Sequence, residues 1–331
     1  RPGYNFFMQR CMAWDLTFLD PMHIVHLMKM HKMDTRGEIG AFFTYGYEFF
    51  EFTFKNWERL LQIGEKLDDF YSRFSWLCML MYRITFNPFY IETCCVGMNC
   101  ERFRLDSYEI NRQFFQFSEK EVYVDGGTHV GYGVEAFLRA VKGKFKHIYT
   151  FEPLAEHNRE IRKRLHWLRG VYLDRIEEKI TIIEKGLWNG EGKLHFSTSH
   201  THQSDVGFGA ELGEMVGGAH FIEGGITDRI HDNEKISTQA TELPVTSVDI
   251  ATNQDATFIK FEVEGSELKA MEGAIKTITR NRPLMSIGIY HKPEDYVTLT
   301  EFVLNLDLDY KLGFRHHYPL GAASTVLYAY R

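Results

Sequence analysis

The sequence predicts an α/β fold: a seven-stranded parallel-type sheet with helices on both faces, preceded by a mainly helical N-terminal cap. Three observations predict it. From about residue 120 onward, short β-prone runs alternate with segments of helical period, the pattern of a sheet covered on both sides. Two of those runs end abruptly in acids and glycines, as strands do where they turn into a helix at a ligand-binding edge. The first 118 residues differ, being dense in Met and Phe, sparse in Gly and Pro, and dominated by helical spacing.

At 331 residues the chain holds either one large domain or two modest ones, with ample core in both cases. A formal net charge of −7 argues against a nucleic-acid partner, since a phosphate-facing surface must be basic. The five cysteines (Cys11, Cys78, Cys94, Cys95, Cys100) are odd in number and confined to the first third. No C-x-x-C or neighbouring His pair completes a zinc set, so the expectation is no metal and reduced thiols in a cytoplasmic protein. The most apolar window, Trp76 to Met81, is too short for a bilayer and is bracketed by Arg73 and Arg83, so no transmembrane segment and no signal peptide are expected.

In the cap, residues 1–118, Trp57, Leu60, Leu61 and Ile63 keep helical spacing. Asp68, Asp69, Ser72 and Arg73 read as solvated helix surface ahead of the apolar 74–81 turn. The cap is expected to rest on the sheet domain, 119–331, and to offer a surface through which copies of the chain associate. Strands are expected at 121–125, 147–151, 180–184, 258–263, 284–290, 310–316 and 324–330. Three helices carry apolar stripes: Val134, Phe137, Leu138 and Val141; then Ile161, Leu165 and Leu168, with Gly170 as the stop; then Leu268, Met271, Ile275 and Ile278 in 266–280, with Ser266 as N-cap. The last two strands leave no room for a helix and are expected as a hairpin-like pair at one sheet edge. Lys193 to Ser197 and Leu243 to Val248 read as short strands flanking a Gly-, His- and Ser-rich insertion at about 198–240, either a flap near the site or a passive surface loop.

The first chemical motif is Val122-Tyr123-Val124-Asp125-Gly126-Gly127-Thr128-His129-Val130-Gly131. An apolar run, an acid, glycines and then a helix-period segment describe a chain that leaves a parallel strand sharply and points backbone N–H groups at a nucleotide-like ligand. Glu152, at the end of the next strand, is placed to accept from the two hydroxyls of a ribose. Glycines at 126, 127, 131 and 133 do not reproduce G-x-G-x-x-G, and an acid stands where a pyrophosphate would be repelled. A carboxylate there suits a ligand with a cationic end, such as the amino group of S-adenosylmethionine. A turn that binds no ligand is the plain alternative.

The second motif is Phe258-Ile259-Lys260-Phe261-Glu262-Val263-Glu264-Gly265-Ser266-Glu267, three acids crowded where a strand meets a helix. Like charges held close are costly unless they serve a cation, a metal or a proton transfer, although a helix N-terminus offsets part of that cost.

With Phe151-Glu152-Pro153 and Tyr290-His291-Lys292-Pro293-Glu294-Asp295, these segments resemble the FkbM family of S-adenosylmethionine-dependent methyltransferases over roughly 120–330, with weaker similarity in Leu67 to Thr85. The resemblance implies a Rossmann-like class I methyltransferase sheet. It implies that Asp125, Gly126, Gly127, Thr128 and Gly131 cradle the methionine part of the cofactor, that Glu152 holds the ribose, and that Lys185, Gly186 and Leu187 line the adenine. Glu262 stands where the family has Asp, and Thr128 where it has Ala.

The implied reaction is in-line methyl transfer to a hydroxyl of a sugar, a polysaccharide precursor or a natural product, a small-molecule or glycan acceptor. His291 is the preferred general base, its ordinary pKa near about 6.5, and Glu262 is the second candidate or the group that orients it. Lys260 and Lys292 are either holders of an anionic acceptor or ordinary solvated or salt-bridged lysines, and at most one of His316 and His317 faces the site. Two other functions fit the same fold: an NAD-linked oxidoreductase, disfavoured by the glycine spacing, and a non-catalytic binding protein.

Overall fold

The computed structural model describes residues 47–85, 87–96, 108–172, 176–198, 219–222, 240–317 and 324–331. Helices α1 (Tyr47–Lys55), α2 (Trp57–Glu65), α3 (Phe70–Thr85) and α4 (Pro88–Cys94) come first. Strand β1 (Val122–Gly126), α5 (Tyr132–Ala140), β2 (His147–Phe151), α6 (Ala155–Tyr172) and β3 (Ile180–Ile183) follow. Next are β4 (Gly186–Leu187), β5 (Gly192–Thr198), β6 (Ala219–Ile222) and β7 (Ala240–Thr246). The chain then runs through α7 (Val248–Ala251), β8 (Phe258–Phe261), α8 (Glu267–Glu272), α9 (Ile275–Asn281), β9 (Leu284–Gly288), α10 (Asp295–Asn305), β10 (Lys311–His316) and β11 (Thr325–Tyr330).

The main sheet has seven strands in the order β10-β11-β9-β8-β1-β2-β3, the α/β architecture expected from the alternating pattern. The pairs β1 with β2, β1 with β8, β2 with β3 and β8 with β9 are parallel. A second sheet runs β4-β7-β5-β6. Its β5 and β7 pair antiparallel where short strands were expected; β6, which the sequence reading did not anticipate, pairs antiparallel with β5. Most of the 198–240 insertion, with its expected flap, lies outside the described residues. Among the described residues no helix is long and apolar enough to cross a membrane.

The chain divides into two compact units. The first gathers Arg1–Met98, Ile289–Glu301 and Lys311–Leu327. There Trp76 is buried, its ring 4.8 Å from that of Tyr296 and 5.2 Å from that of Phe314, and its Nε1 donates to Leu60 O at 2.9 Å. Arg83, fully buried, lies 3.5 Å over the Tyr296 ring. The polar group expected on a solvated surface is partly interior: Ser72 is 0% exposed, and the buried Arg315 guanidinium reaches Asp69 Oδ1 at 3.2 Å and Ser72 Oγ at 2.7 Å. The physical reason is that a buried guanidinium on β10 requires acceptors, and Asp69 with Ser72 supplies them.

His316 and His317 are both buried. Burial first, then His316 and Arg315, pulls the His317 imidazole down to about 3. The folded chain therefore keeps it neutral where the unfolded chain, with a pKa of about 6.5, takes up a proton. The associated stability is fully present above the unfolded value and is lost as the pH falls toward 3, at about 1.4 kcal/mol per pH unit. Chemical denaturation at pH 5 is expected to show a lower midpoint than at pH 7.5, and His317→Gln a shallower decline; an equal slope in the variant would remove His317 as its source.

The second unit spans Asn99–Gly288, Phe302–Tyr310 and Tyr328–Arg331. Its core holds the stripes expected of α5 and α6, with Phe137, Leu138, Ile161, Leu165 and Leu168 all buried. Tyr123, Phe137 and Phe258 form a cluster of three rings, with Tyr123 4.6 Å from Phe137 and 4.8 Å from Phe258. The single helix expected over 266–280 is two, α8 and α9, broken at Gly273, where an added Cβ would stand 2.2 Å from Trp188 O. Close approach of the 188–189 backbone requires the missing side chain and leaves Ile275 exposed. Ser266 makes no side-chain cap, and α6 continues past Gly170 to Tyr172.

Candidate functional site

In the parallel ladder Asp125 of β1 is the register partner of Lys260 of β8, so their side chains share one face of the sheet. Lys260 is 4% exposed and Asp125 is 0% exposed. The ammonium donates to Asp125 Oδ1 at 3.1 Å and to Gly127 O at 2.9 Å, and lies 3.8 Å from Glu109 Oε1. Burial by itself would lower the Lys260 pKa; the carboxylates of Asp125, Glu109 and Glu262 outweigh it and hold the ammonium above its usual range. Three carboxylates thus surround one cation. With all of them ionised, two negative charges remain in excess.

The turn after β1 is drawn tightly against the segment after β8. Gly127 takes φ +74°, and a Cβ there would stand 1.8 Å from Glu262 O. Glu262 N donates to Gly126 O at 3.2 Å. Thr128 fastens the other side: its N donates to Phe151 O at 3.1 Å, and its Oγ1 donates to Asp125 O at 2.8 Å while accepting from Phe151 N at 3.2 Å. A hydroxyl at 128 therefore ties β1 to β2, a role that alanine could not fill. His129 follows at φ +50° and Gly131 at φ +92°, and α5 begins at the next residue.

Glu152 is 5% exposed, just past β2. Its Oε2 accepts from His129 N at 2.9 Å; its Oε1 accepts from Leu154 N at 3.0 Å and from His157 Nδ1 at 3.1 Å. The His129 and His157 rings meet edge to face, 4.4 Å apart. Burial, then the neighbouring His157, pulls His129 down to about 4. One face of α6 holds this turn from outside, at i, i+4 and i+7. His157 touches His129, Ile161 lies under Gly131, and Arg164 Nε donates to Val130 O at 2.9 Å. Arg164 also pairs with Glu135 at 2.6 Å and covers the Tyr132 ring at 4.1 Å.

The chain matches the methyltransferase FkbM domain over residues 125–315, the stretch that holds this glycine turn, the carboxylates of Asp125 and Glu262 beside it and Glu152 just past β2. The chain belongs to the FkbM methyltransferase family. Among solved structures it is similar to a methyltransferase FkbM from Methylobacillus flagellatus KT, with 23% identity and a TM-score of 0.65 over 86% of this chain and 61% of that one. The chain thus spans about three fifths of that relative. It is also similar, at 15% identity and a TM-score of 0.35, to an rRNA methylase from Streptococcus thermophilus, over 64% of this chain and 87% of that one. No curated protein matches the chain.

Against the FkbM motifs, the structure brings Asp125, Gly126, Gly127, Thr128 and Glu262 into one contacting group and links Thr128 and His129 to β2 and Glu152. Glu262 lies beside Gly288 at the end of β9, where an added Cβ would meet Glu262 Oε2 at 2.5 Å. Gly186 and Leu187 form β4 against Val245 and Thr246, and Leu187 is 1% exposed. Lys185 Nζ donates to both Glu191 oxygens at 3.1 and 3.2 Å. His291 lies in the first unit, half-buried, its ring 4.1 Å from that of Tyr290. Lys260 is not placed to hold an anionic acceptor, because its ammonium is buried on Asp125 and Gly127. The sequence reading did not single out Glu109, His129, His157 or Arg164. Only the 157, 161, 164 spacing on one helix face hinted at the last two.

Proposed function

We infer that the chain is an S-adenosylmethionine-dependent O-methyltransferase acting on a hydroxyl of a sugar, a polysaccharide precursor or a natural product. The observation that carries this reading is the cluster of three carboxylates around the buried Lys260 ammonium at the Gly127 turn. A net positive cofactor is attracted to that surplus, whereas a pyrophosphate is repelled by it. The missing side chain at Gly127 serves the chain itself, since the Glu262 carbonyl fills that space and draws the turn after β1 against the segment after β8.

In this reading Gly126, Gly127, Thr128 and Gly131 shape the wall for the methionine part, and Asp125 acts from beneath it through Lys260. Glu152 receives the ribose, and Lys185, Gly186 and Leu187 stand on the adenine side. The cofactor supplies an electrophilic methyl group on a sulfonium. The protein aligns the acceptor hydroxyl and takes its proton, at a ring nitrogen of His291 or at the Glu262 carboxylate.

Incubation with methyl-labelled cofactor and a panel of saccharides and hydroxylated small molecules is expected to give base-stable ether label. Absence of any transfer together with absence of S-adenosylhomocysteine binding by calorimetry would overturn the assignment. Glu152→Ala is expected to weaken S-adenosylhomocysteine binding about tenfold or more, the worth of a hydrogen bond to a charged group. His291→Ala is expected to lower kcat about a hundredfold with cofactor affinity nearly unchanged; unaltered turnover would leave the proton to Glu262.

A further inference from the structure

We propose that His157 is a positioning residue for the nucleoside: it pins the Glu152 carboxylate so that one acceptor position is left, and that position reads a single ribose hydroxyl. The inference rests on the cofactor reading above and deepens it.

A carboxylate offers about four lone-pair positions. Three N–H groups already occupy Glu152: His129 N on Oε2, and Leu154 N with His157 Nδ1 on Oε1. Both positions on Oε1 are therefore filled, and one remains on Oε2. The carboxylate accepts only, so His157 must carry its proton on Nδ1. The backbone of the same residue is held as well, since Asn158 Nδ2 donates to Glu152 O at 2.8 Å. Of these donors His157 alone belongs to a side chain bonded to the carboxylate, and it is the one a substitution can remove without touching the backbone. Its ring is braced by His129, which burial keeps neutral, so the two imidazoles meet without charge repulsion.

With the donor present, Glu152 is preorganised for one hydroxyl and cannot rotate to accept two. Without it, Oε1 is released, the carboxylate turns between positions, and discrimination between ribose hydroxyls is lost.

Two variants separate donation from packing. His157→Phe keeps a ring edge against His129 and removes the donor; His157→Asn keeps an N–H near the Nδ1 position and removes the ring. Calorimetry would compare S-adenosylhomocysteine with its 2′-deoxy and 3′-deoxy analogues. On the unaltered protein one deoxy analogue is expected to bind about tenfold more weakly and the other within about twofold. His157→Phe is expected to weaken S-adenosylhomocysteine binding about tenfold and to shrink the deoxy penalty to under about threefold, while His157→Asn keeps both near their original values. If His157→Phe retains the penalty, or His157→Asn loses it, the positioning role is overturned and the cofactor reading stands. Equal penalties for both analogues on the unaltered protein also overturn it. If the unaltered protein binds no S-adenosylhomocysteine, the cofactor reading falls and this inference with it.

Discussion

Lys260→Met is expected to lose about 3–5 kcal/mol of unfolding free energy at neutral pH, the usual cost of leaving one member of a buried ion pair behind. Methionine matches the lysine stem closely enough that packing is not the main term. What is left behind is the 0%-exposed carboxylate of Asp125, with Glu109 and Glu262 nearby and no cation among them. The Gly127 carbonyl loses its donor at the same time. Urea denaturation of both proteins at pH 7.5 measures this. A loss under about 1 kcal/mol would mean that the ammonium does not serve as the counter-ion of Asp125.

The same variant tests the charge argument for the cofactor. Removing one positive charge makes the cluster more negative, which alone would favour a cationic ligand. Removing the donor to Gly127 O loosens the turn, which disfavours any ligand. S-adenosylhomocysteine carries no sulfonium and no net charge, so it reports chiefly the loosened turn, and its affinity is expected to fall.

The strand–helix alternation was legible because period-2 and period-3.6 patterns follow directly from where successive Cβ atoms point. The stripes on α5 and α6 fell on buried faces, and the seven strands of the main sheet were placed within about two residues of their observed ends. The helix over 266–280 was misread because its apolar spacing is continuous through Gly273, and the contact that breaks it, Trp188 O, is 85 positions away in the chain (273 − 188). Within the polar run, Asp68 and Arg73 are exposed as expected, whereas Asp69 and Ser72 were misread for the same kind of reason. Nothing near them in sequence announces that Arg315 will arrive buried and in need of acceptors. At the site, the two motifs were visible as strings, but their joint meaning needed the register. Asp125 beside Lys260 decides between the two readings of that lysine: it is an internal, salt-bridged counter-ion. His157 and Arg164 carried no motif at all, and their roles follow from the face of α6 that meets the 129–131 turn.

Gly127→Ala is expected to be nearly as damaging as the loss of Lys260, and for reasons that a graded series can separate. At φ +74° a side chain costs about 1–2 kcal/mol in backbone strain alone. The added Cβ would also stand 1.8 Å from the Glu262 carbonyl, a backbone atom that cannot swing aside, so the ends of β1 and β8 must part. Overpacking of that kind adds about 1–3 kcal/mol. Gly131→Ala carries strain of the same size at φ +92°, but its Cβ would meet Arg164 Cδ at 3.3 Å, part of a flexible side chain, so about 1–2 kcal/mol is expected. At Gly190 a Cβ meets nothing within 4 Å, and Gly190→Ala should lie within about 0.5 kcal/mol of the unaltered protein. Denaturation midpoints should therefore fall in the order Gly190→Ala, Gly131→Ala, Gly127→Ala. Binding of S-adenosylhomocysteine should vanish only in the last, because the same displacement pulls the Gly127 carbonyl away from Lys260. A Gly127→Ala protein with ordinary stability and undiminished affinity would show that the β1 turn is not drawn against Glu262, and the cradle argued from that contact would have no wall.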